Sequence, residues 1–314
     1  MIRLDDVTRR YGTVTALEGV SLSLPRGTLT GLVGTNGAGK TTLFRLLVGH
    51  ERPDGGTVRV AGQAPADSVA VRRTIGYLPE RTSFEPALTG REVVRFHARR
   101  RGVARDRRRE RVAATLETVG LADAADRAVG GYSNGMSRRL GLATLLVGAP
   151  DVLLLDEPTA SLDPPGVETV RRLVERVHAE TNATVLISSH DLGDIERLCD
   201  RVVVLDDGHV RASGPVDAVA GDRTFLRITP AGDATAADAA AVAREFADTR
   251  VVRVGERRCV LSVPDDAALD RLAALRSAVG VETFEADRTG LAAAFPRLLD
   301  DADRADHGPE VADD

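Results

Sequence analysis

The chain has 314 residues, 43% hydrophobic and 28% charged, with a formal net charge of −5 at pH 7. This is a soluble globular composition, long enough for a large core plus a second small domain, and it excludes a general basic field for nucleic acid. The only two cysteines, Cys199 and Cys259, lie far apart in the chain, which excludes a disulfide framework and fits a reducing, cytoplasmic compartment.

Taken in order, the N-terminal part reads as short strands. Ile2 to Val7 and Val20 to Leu24 alternate apolar and polar residues, and no apolar signal region opens the chain. An apolar run from Leu29 to Val33 leads into the glycine-rich stretch Gly34 to Thr42, and a helical run, Leu43 to Val48, follows. Thr57 to Val60 is a further strand. From about 85 to 132 the pattern becomes helical, with arginine-rich segments Arg91 to Arg101 and Arg105 to Val119. Leu140 to Pro150, the longest apolar stretch, falls well short of the roughly 20 residues a membrane span needs. Val152 to Leu155 is a short strand suited to burial on both faces, and Gly166 to Glu180 is a helix leading to the strand Ala183 to Ser188. Such alternation predicts an α/β core with a parallel sheet.

Near residue 222 the character shifts. Strands at Thr224–Ile228, Arg250–Val254, Arg258–Val263 and Val281–Glu285, with helices at Ala236–Ala247 and Ala267–Ala278, give the order β-α-β-β-α-β. This order fits a small α+β, ferredoxin-like unit over 222–299. Leu291 to Leu299 can add a closing helix, and 300–314 read as an acidic, disordered tail.

The chemistry starts at residues 34–42. Gly34, Thr35, Asn36, Gly37, Ala38, Gly39, Lys40, Thr41 and Thr42 fit the phosphate-loop pattern G-x-x-x-x-G-K-[ST] between a strand and a helix. Glycines let backbone N–H groups surround phosphate oxygens, and the helix N-terminus faces the same anion. Lys40 can reach β- and γ-phosphates, and Thr41 can ligate magnesium. Lys40 is also the only lysine; every other cationic side chain of that class is arginine. Asp156-Glu157, closing the strand at Leu155, supplies a carboxylate suited to magnesium and one suited to orienting or activating water.

Tyr132-Ser133-Asn134-Gly135-Met136, set between the phosphate loop and the acidic strand, resembles the signature of ATP-binding subunits of the ABC transporter family, commonly L-S-G-G-Q. Ser133 and Gly135 are kept, while the first glycine and the glutamine are not. The resemblance implies an ABC ATPase core over 1–221, with a parallel sheet, an antiparallel N-terminal β part and a helical subdomain at about 80–140. It also implies ATP and Mg2+ as ligands, Asp163 of Ser161-Leu162-Asp163 along a dimer contact, and His190 as a histidine facing the γ-phosphate. Tyr11 occupies the place of an adenine-stacking aromatic, with stacking and core packing equally open. Glu80 stands where a glutamine is usual and can bind magnesium or water through an oxygen.

One chain carries one phosphate loop and one signature, so the resemblance implies a second copy, most simply a homodimer. It further implies membrane permease subunits and a peripheral place on the cytoplasmic face of the membrane. Within single-cassette exporters, Gly62–Ala66, residues 71–92 and Val119–Arg127 are similar to the ATPase of the Nos-type transporter that matures copper-containing nitrous oxide reductase, which implies a periplasmic accessory protein. Drug and lipid exporters share much of these stretches. A soluble, non-transport ABC ATPase is the reading from another class, disfavoured by the single cassette and the short span from Lys40 to Ser133. The clustered arginines read as solvated helix faces rather than a nucleic-acid site, because no aromatic residues are interleaved.

Overall fold

Ile2, Leu4 and Val7 of β1 (Ile2–Tyr11) pair with Leu24, Leu22 and Val20 of β2 (Val14–Leu24), and all six are buried. The three-residue step from Leu4 to Val7 would put these side chains on opposite faces of a regular strand. A register shift between them, with Asp6 at φ 52, restores Val7 to the core face. The chain continues through β3 (Leu29–Gly34), α1 (Lys40–Leu47) and β4 (Gly55–Val60), and β4 pairs with β1 to complete an antiparallel sheet of order β2-β1-β4. This computed structural model describes residues 1–221, 223–288 and 290–306.

Next come α2 (Val69–Thr74), β5 (Ile75–Leu78), α3 (Gly90–Arg100), α4 (Arg108–Thr118) and α5 (Asn134–Leu146). The start of α3 carries a capping box between Thr89 and Glu92, and α5 is capped by the Ser133 side chain accepting from the Met136 N–H. The helix expected from Arg105 begins at Arg108. Then follow β6 (Val152–Leu155), α6 (Pro164–Thr181), β7 (Thr184–Ser188), α7 (Leu192–Leu198), β8 (Arg201–Asp206) and β9 (His209–Pro215). The second sheet has order β5-β6-β7-β3-β8-β9, parallel except for the hairpin β8–β9. Every residue of β6 and β7 is buried, as expected for strands covered on both faces.

Contacts divide the chain between Pro215 and Val216, earlier than the expected 221/222 boundary. The second unit holds α8 (Val216–Ala220), β10 (Arg223–Thr229), α9 (Ala236–Arg244), β11 (Arg250–Val254), β12 (Cys259–Pro264), α10 (Ala268–Val279), β13 (Thr283–Arg288) and α11 (Leu291–Asp306). Its antiparallel sheet has order β11-β12-β10-β13, the strand order of a split βαβ unit. Leu226, Ile228, Leu261 and Val263 pack with Ala236, Ala239, Ala240 and Ala243, whose small side chains let the helix approach the sheet closely. Residues 300–306, expected in a disordered tail, are instead the last turns of α11. Residues 307–314 of the expected tail lie outside the described residues.

Candidate functional site

Parallel strands deliver the site to one edge of the central sheet. Leu78 is in register with Leu155, Leu155 with Ile187, and Leu32 with Ser188. The residues just past β5, β6, β7 and β3 therefore converge, as ligand-binding residues do outside the carboxyl ends of open α/β sheets.

At the end of β3 the phosphate loop turns sharply. Gly39 sits at φ 102, and a Cβ there would lie 2.5 Å from the Ala16 carbonyl oxygen; one on Gly34 would lie 2.1 Å from that of Leu205. No side chain fits either position. Lys40 Nζ donates to the carbonyls of Gly34 at 2.7 Å and Thr35 at 3.0 Å. Partial burial holds its pKa below the usual lysine value, opposed by the charges of Glu157 and Asp156.

Asp156 is only 4% exposed. Its Oδ1 accepts from the Ser188 hydroxyl at 2.8 Å, and the Thr41 hydroxyl lies 3.5 Å from its Oδ2. Burial pushes this carboxyl above its ordinary value, and the neighbouring charges of Glu157 and Glu80 add to the effect. Ser188 Oγ also accepts from the Glu157 N–H at 2.8 Å, so one hydroxyl braces both acidic residues. Glu157 holds a left-handed φ of 45, uncommon for a non-glycine residue and a form of strain that clusters at functional sites. His190 Nδ1–H donates to Glu157 Oε2 at 2.9 Å. Residues 36–42 of the loop, Glu80, Asp156, Glu157 and His190 line one cavity of about 560 Å³.

The oxygen chemistry here fits a hard divalent cation. Thr41, Asp156 and Glu80 supply hydroxyl and carboxylate oxygens, and the raised Asp156 carboxyl marks a buried site where a cation would offset the cost of ionisation. Among the described residues no group of three or more His, Cys, Asp or Glu side chains forms a metal cage. Magnesium bound along with substrate phosphates needs only one or two carboxylates.

Ser133, Gly135 and Asp163 are not brought to this cavity. They line a separate one of about 500 Å³, with Asn134, Ser161 and Leu162. Ser161 there holds φ 62, also left-handed. Tyr11 lies apart from the lining of both cavities. Its hydroxyl bonds Glu51, the Arg9 guanidinium carbon stands 4.9 Å from its ring centroid, and the residue is 37% exposed.

Arg138 was not singled out by its motif, yet it ties the site together. Its guanidinium donates to five backbone carbonyls: Pro158 at 2.8 Å, Pro79 at 2.7 Å, Glu80 at 2.8 Å, Asp156 at 2.7 Å and Glu157 at 2.6 Å. It thereby joins the signature helix to the segments following β5 and β6. Burial lowers its pKa to about 10, against the supporting charges of Asp156, Glu80 and Glu157, and it stays cationic at neutral pH. The sequence did carry a signal: Arg138, Leu142 and Leu145 form an i, i+4, i+7 stripe, and all three are buried.

The family profile described as ABC transporter matches residues 17–160. Over 287 residues the chain is 38% identical to a daunorubicin resistance ATP-binding protein of Streptomyces coeruleorubidus, covering 88% of this chain and 86% of that protein. It is 37% identical over 221 residues to the methionine import ATP-binding protein of Brucella abortus, covering 69% of this chain; the chain spans only 60% of that relative's length. Among solved structures, a dimeric ATP-binding cassette in a post-hydrolysis state bound to ADP and Pi superposes with a TM-score of 0.62 at 26% identity, covering 69% of this chain and 99% of that one.

Proposed function

Because the chain belongs to the ABC transporter family of ATP-binding subunits, we propose that it binds and hydrolyses ATP to power a separate membrane permease. The observation that carries this reading is the meeting of Lys40, Thr41, Asp156, Glu157 and His190 on one cavity. Among the described residues no helix is long and apolar enough to cross a membrane, so the spans belong to the permease. The subunit works at the cytoplasmic face of the membrane.

The phosphates of ATP lie in the loop from Gly34 to Thr42, with Lys40 at the β- and γ-phosphates; Tyr11, outside the cavity lining and 37% exposed, meets the adenine only where the base extends beyond that cavity. Thr41, Asp156 and Glu80 would hold Mg2+, which when bound neutralises phosphate charge. Glu157, restrained by His190, accepts the proton of the attacking water. Ser133, Gly135 and Asp163 line a different cavity. In this reading they serve the nucleotide held by a second copy, and two-fold symmetry closes two sites at once. Loss of the γ-phosphate removes the contact that distinguishes closed from open, and the halves part. The helical segment carrying α3 to α5 passes that motion to the permease.

Drug export is the cargo reading best supported, because the match to the daunorubicin resistance protein runs through both units of the chain. Copper-site maturation of nitrous oxide reductase, with a periplasmic partner, is the second reading and rests on Gly62–Ala66, residues 71–92 and Val119–Arg127. A deletion strain separates the two: drug sensitivity with a fully metallated reductase selects export, and a reductase lacking its copper–sulfur centre selects maturation.

The core proposal is tested with Glu157→Gln in the presence of ATP. Sedimentation is expected to show a stable dimer with hydrolysis lost. A monomer with unimpaired hydrolysis would overturn both the dimer and the role of Glu157.

A further inference from the structure

Arg91, Arg95 and Arg99 of α3 and Arg105, Arg108 and Arg109 around the start of α4 line a cavity of about 620 Å³, with Val112 as its one apolar lining residue. Arg95, Arg99, Arg105 and Arg109 are exposed, yet with Arg91 and Arg108 they border a hollow of small-molecule size. The arrangement works against the fold in two ways. Arg91, Arg95 and Arg99 follow each other at i, i+4 spacing, where like charges repel. Arg108 and Arg109 occupy the first turn of α4, where the helix dipole favours anions.

Local compensation is thin. Arg91 pairs with Asp126 at 2.7 Å, and Glu110 shares the first turn of α4. Glu92 lies near Arg95, but its carboxylate is bound to Thr89 in the capping box. Among the described residues, Arg95, Arg99, Arg105 and Arg109 have no hydrogen bond or ion pair from their side chains. Arg108 donates Nη2 to the Val103 carbonyl at 2.9 Å, while its buried Nε has no partner.

We propose that this cavity binds a compact anion carrying several phosphate groups. Each phosphate brings more charge and more acceptor oxygens than a carboxylate, and guanidinium groups grip it with paired hydrogen bonds. No aromatic side chain lines the hollow, so a nucleic-acid base has nothing there to stack on. The phosphates come either from one free polyphosphate-like solute or from several anionic lipid headgroups side by side; the chemistry is shared, and two experimental arms separate the sources.

The full chain carrying Lys40→Ala is used, so that the loop at residues 34–42 does not capture the probe and the outcome is independent of the ATPase reading. In the first arm, inorganic tripolyphosphate is titrated calorimetrically. One equivalent is expected to bind, weakening with added salt, and affinity is expected to fall at least about tenfold when Arg95→Gln, Arg99→Gln and Arg109→Gln are added. Those three side chains are exposed and unpaired, so the fold is retained. The second arm is co-sedimentation with phosphatidylglycerol vesicles against phosphatidylcholine vesicles. Retention on the anionic vesicles alone, lost in the triple variant, supports the site with headgroups as its source. Absence of binding in both arms, or equal binding by the triple variant, overturns the proposal.

Discussion

Nδ1 of His190 stands 2.9 Å from Oε2 of Glu157, and the two side chains differ sharply in exposure, 75% for the histidine and 14% for the carboxylate. A half-enclosed acceptor is thus tethered to a ring that reaches solvent. Ring and carboxylate share one hydrogen bond, so whatever the ring touches also sets the position of Glu157.

Replacing His190 by alanine is expected to lower kcat for ATP hydrolysis by about 10²-fold or more, in the range of a mispositioned general base, with the KM for ATP much less affected. Steady-state kinetics checks this. An unchanged kcat would remove His190 from the reaction.

Lys40→Arg is expected to fail as a substitute. The lysine ammonium fits between the carbonyls of Gly34 and Thr35, a place for a compact point charge rather than a planar fork. Nucleotide affinity is expected to drop by about 1.5–3 kcal/mol, roughly ten- to hundredfold, as read by equilibrium binding of a fluorescent ATP analogue.

Arg138→Met keeps the bulk of the stem and leaves the carbonyls of Pro79, Glu80, Asp156, Glu157 and Pro158 without their donor. Chemical denaturation is expected to show a loss of at least about 3 kcal/mol, since each unsatisfied buried group costs about 1–3 kcal/mol. Arg138→Lys should recover only part of this, because an ammonium cannot span two strand ends. Full recovery by lysine would mean that charge alone matters there.

Asp156 carries a pH prediction. Its pKa is raised in the folded state by burial, so its protonated form is the one that favours folding. That contribution is present below the unfolded value, near 4, and is lost as pH rises through the folded value. At neutral pH the ionised carboxylate therefore destabilises the metal-free protein. Asp156→Asn is expected to raise the calorimetric Tm by a few degrees at pH 7, the gap closing as pH falls toward 4, while hydrolysis is lost. A lower Tm at pH 7 would contradict this.

Much of the site was legible because its signals are local. The loop at 34–42 needs only its own glycines, the strand before it and the helix after it, and these lie within a few residues of one another. Ser133 was legible through its resemblance to the family signature, while the cap it places on α5, not expected from the sequence, is what the structure shows. Arg138 was passed over because Arg138-Arg139 reads as a charged pair on a helix; only the face that α5 turns inward makes Arg138 7% exposed and sets it against five carbonyls. The arginine runs were read as solvated faces, and Arg99, Arg100, Arg107 and Arg109 are indeed exposed; only the hollow that some of them border has no sequence period. The helix through Asp306 was missed because residues 300–306 are acidic and small and carry no strong apolar period of their own.

The sequence by itself determined the residue types that carry the chemistry and the alternation of strand and helix, because periodicity and turn chemistry act over a few residues. It also determined the β-α-β-β-α-β order of the second unit. Tertiary structure decided which of these residues meet. The order β5-β6-β7-β3 places Ser188 between Asp156 and the Glu157 amide, although each is more than 30 residues away in the chain. It buries Asp156, leaves His190 in solvent, and keeps Ser133 and Asp163 away from Lys40. Those outcomes depend on long-range strand pairing and on burial, which set the local dielectric and so the charge each group can hold.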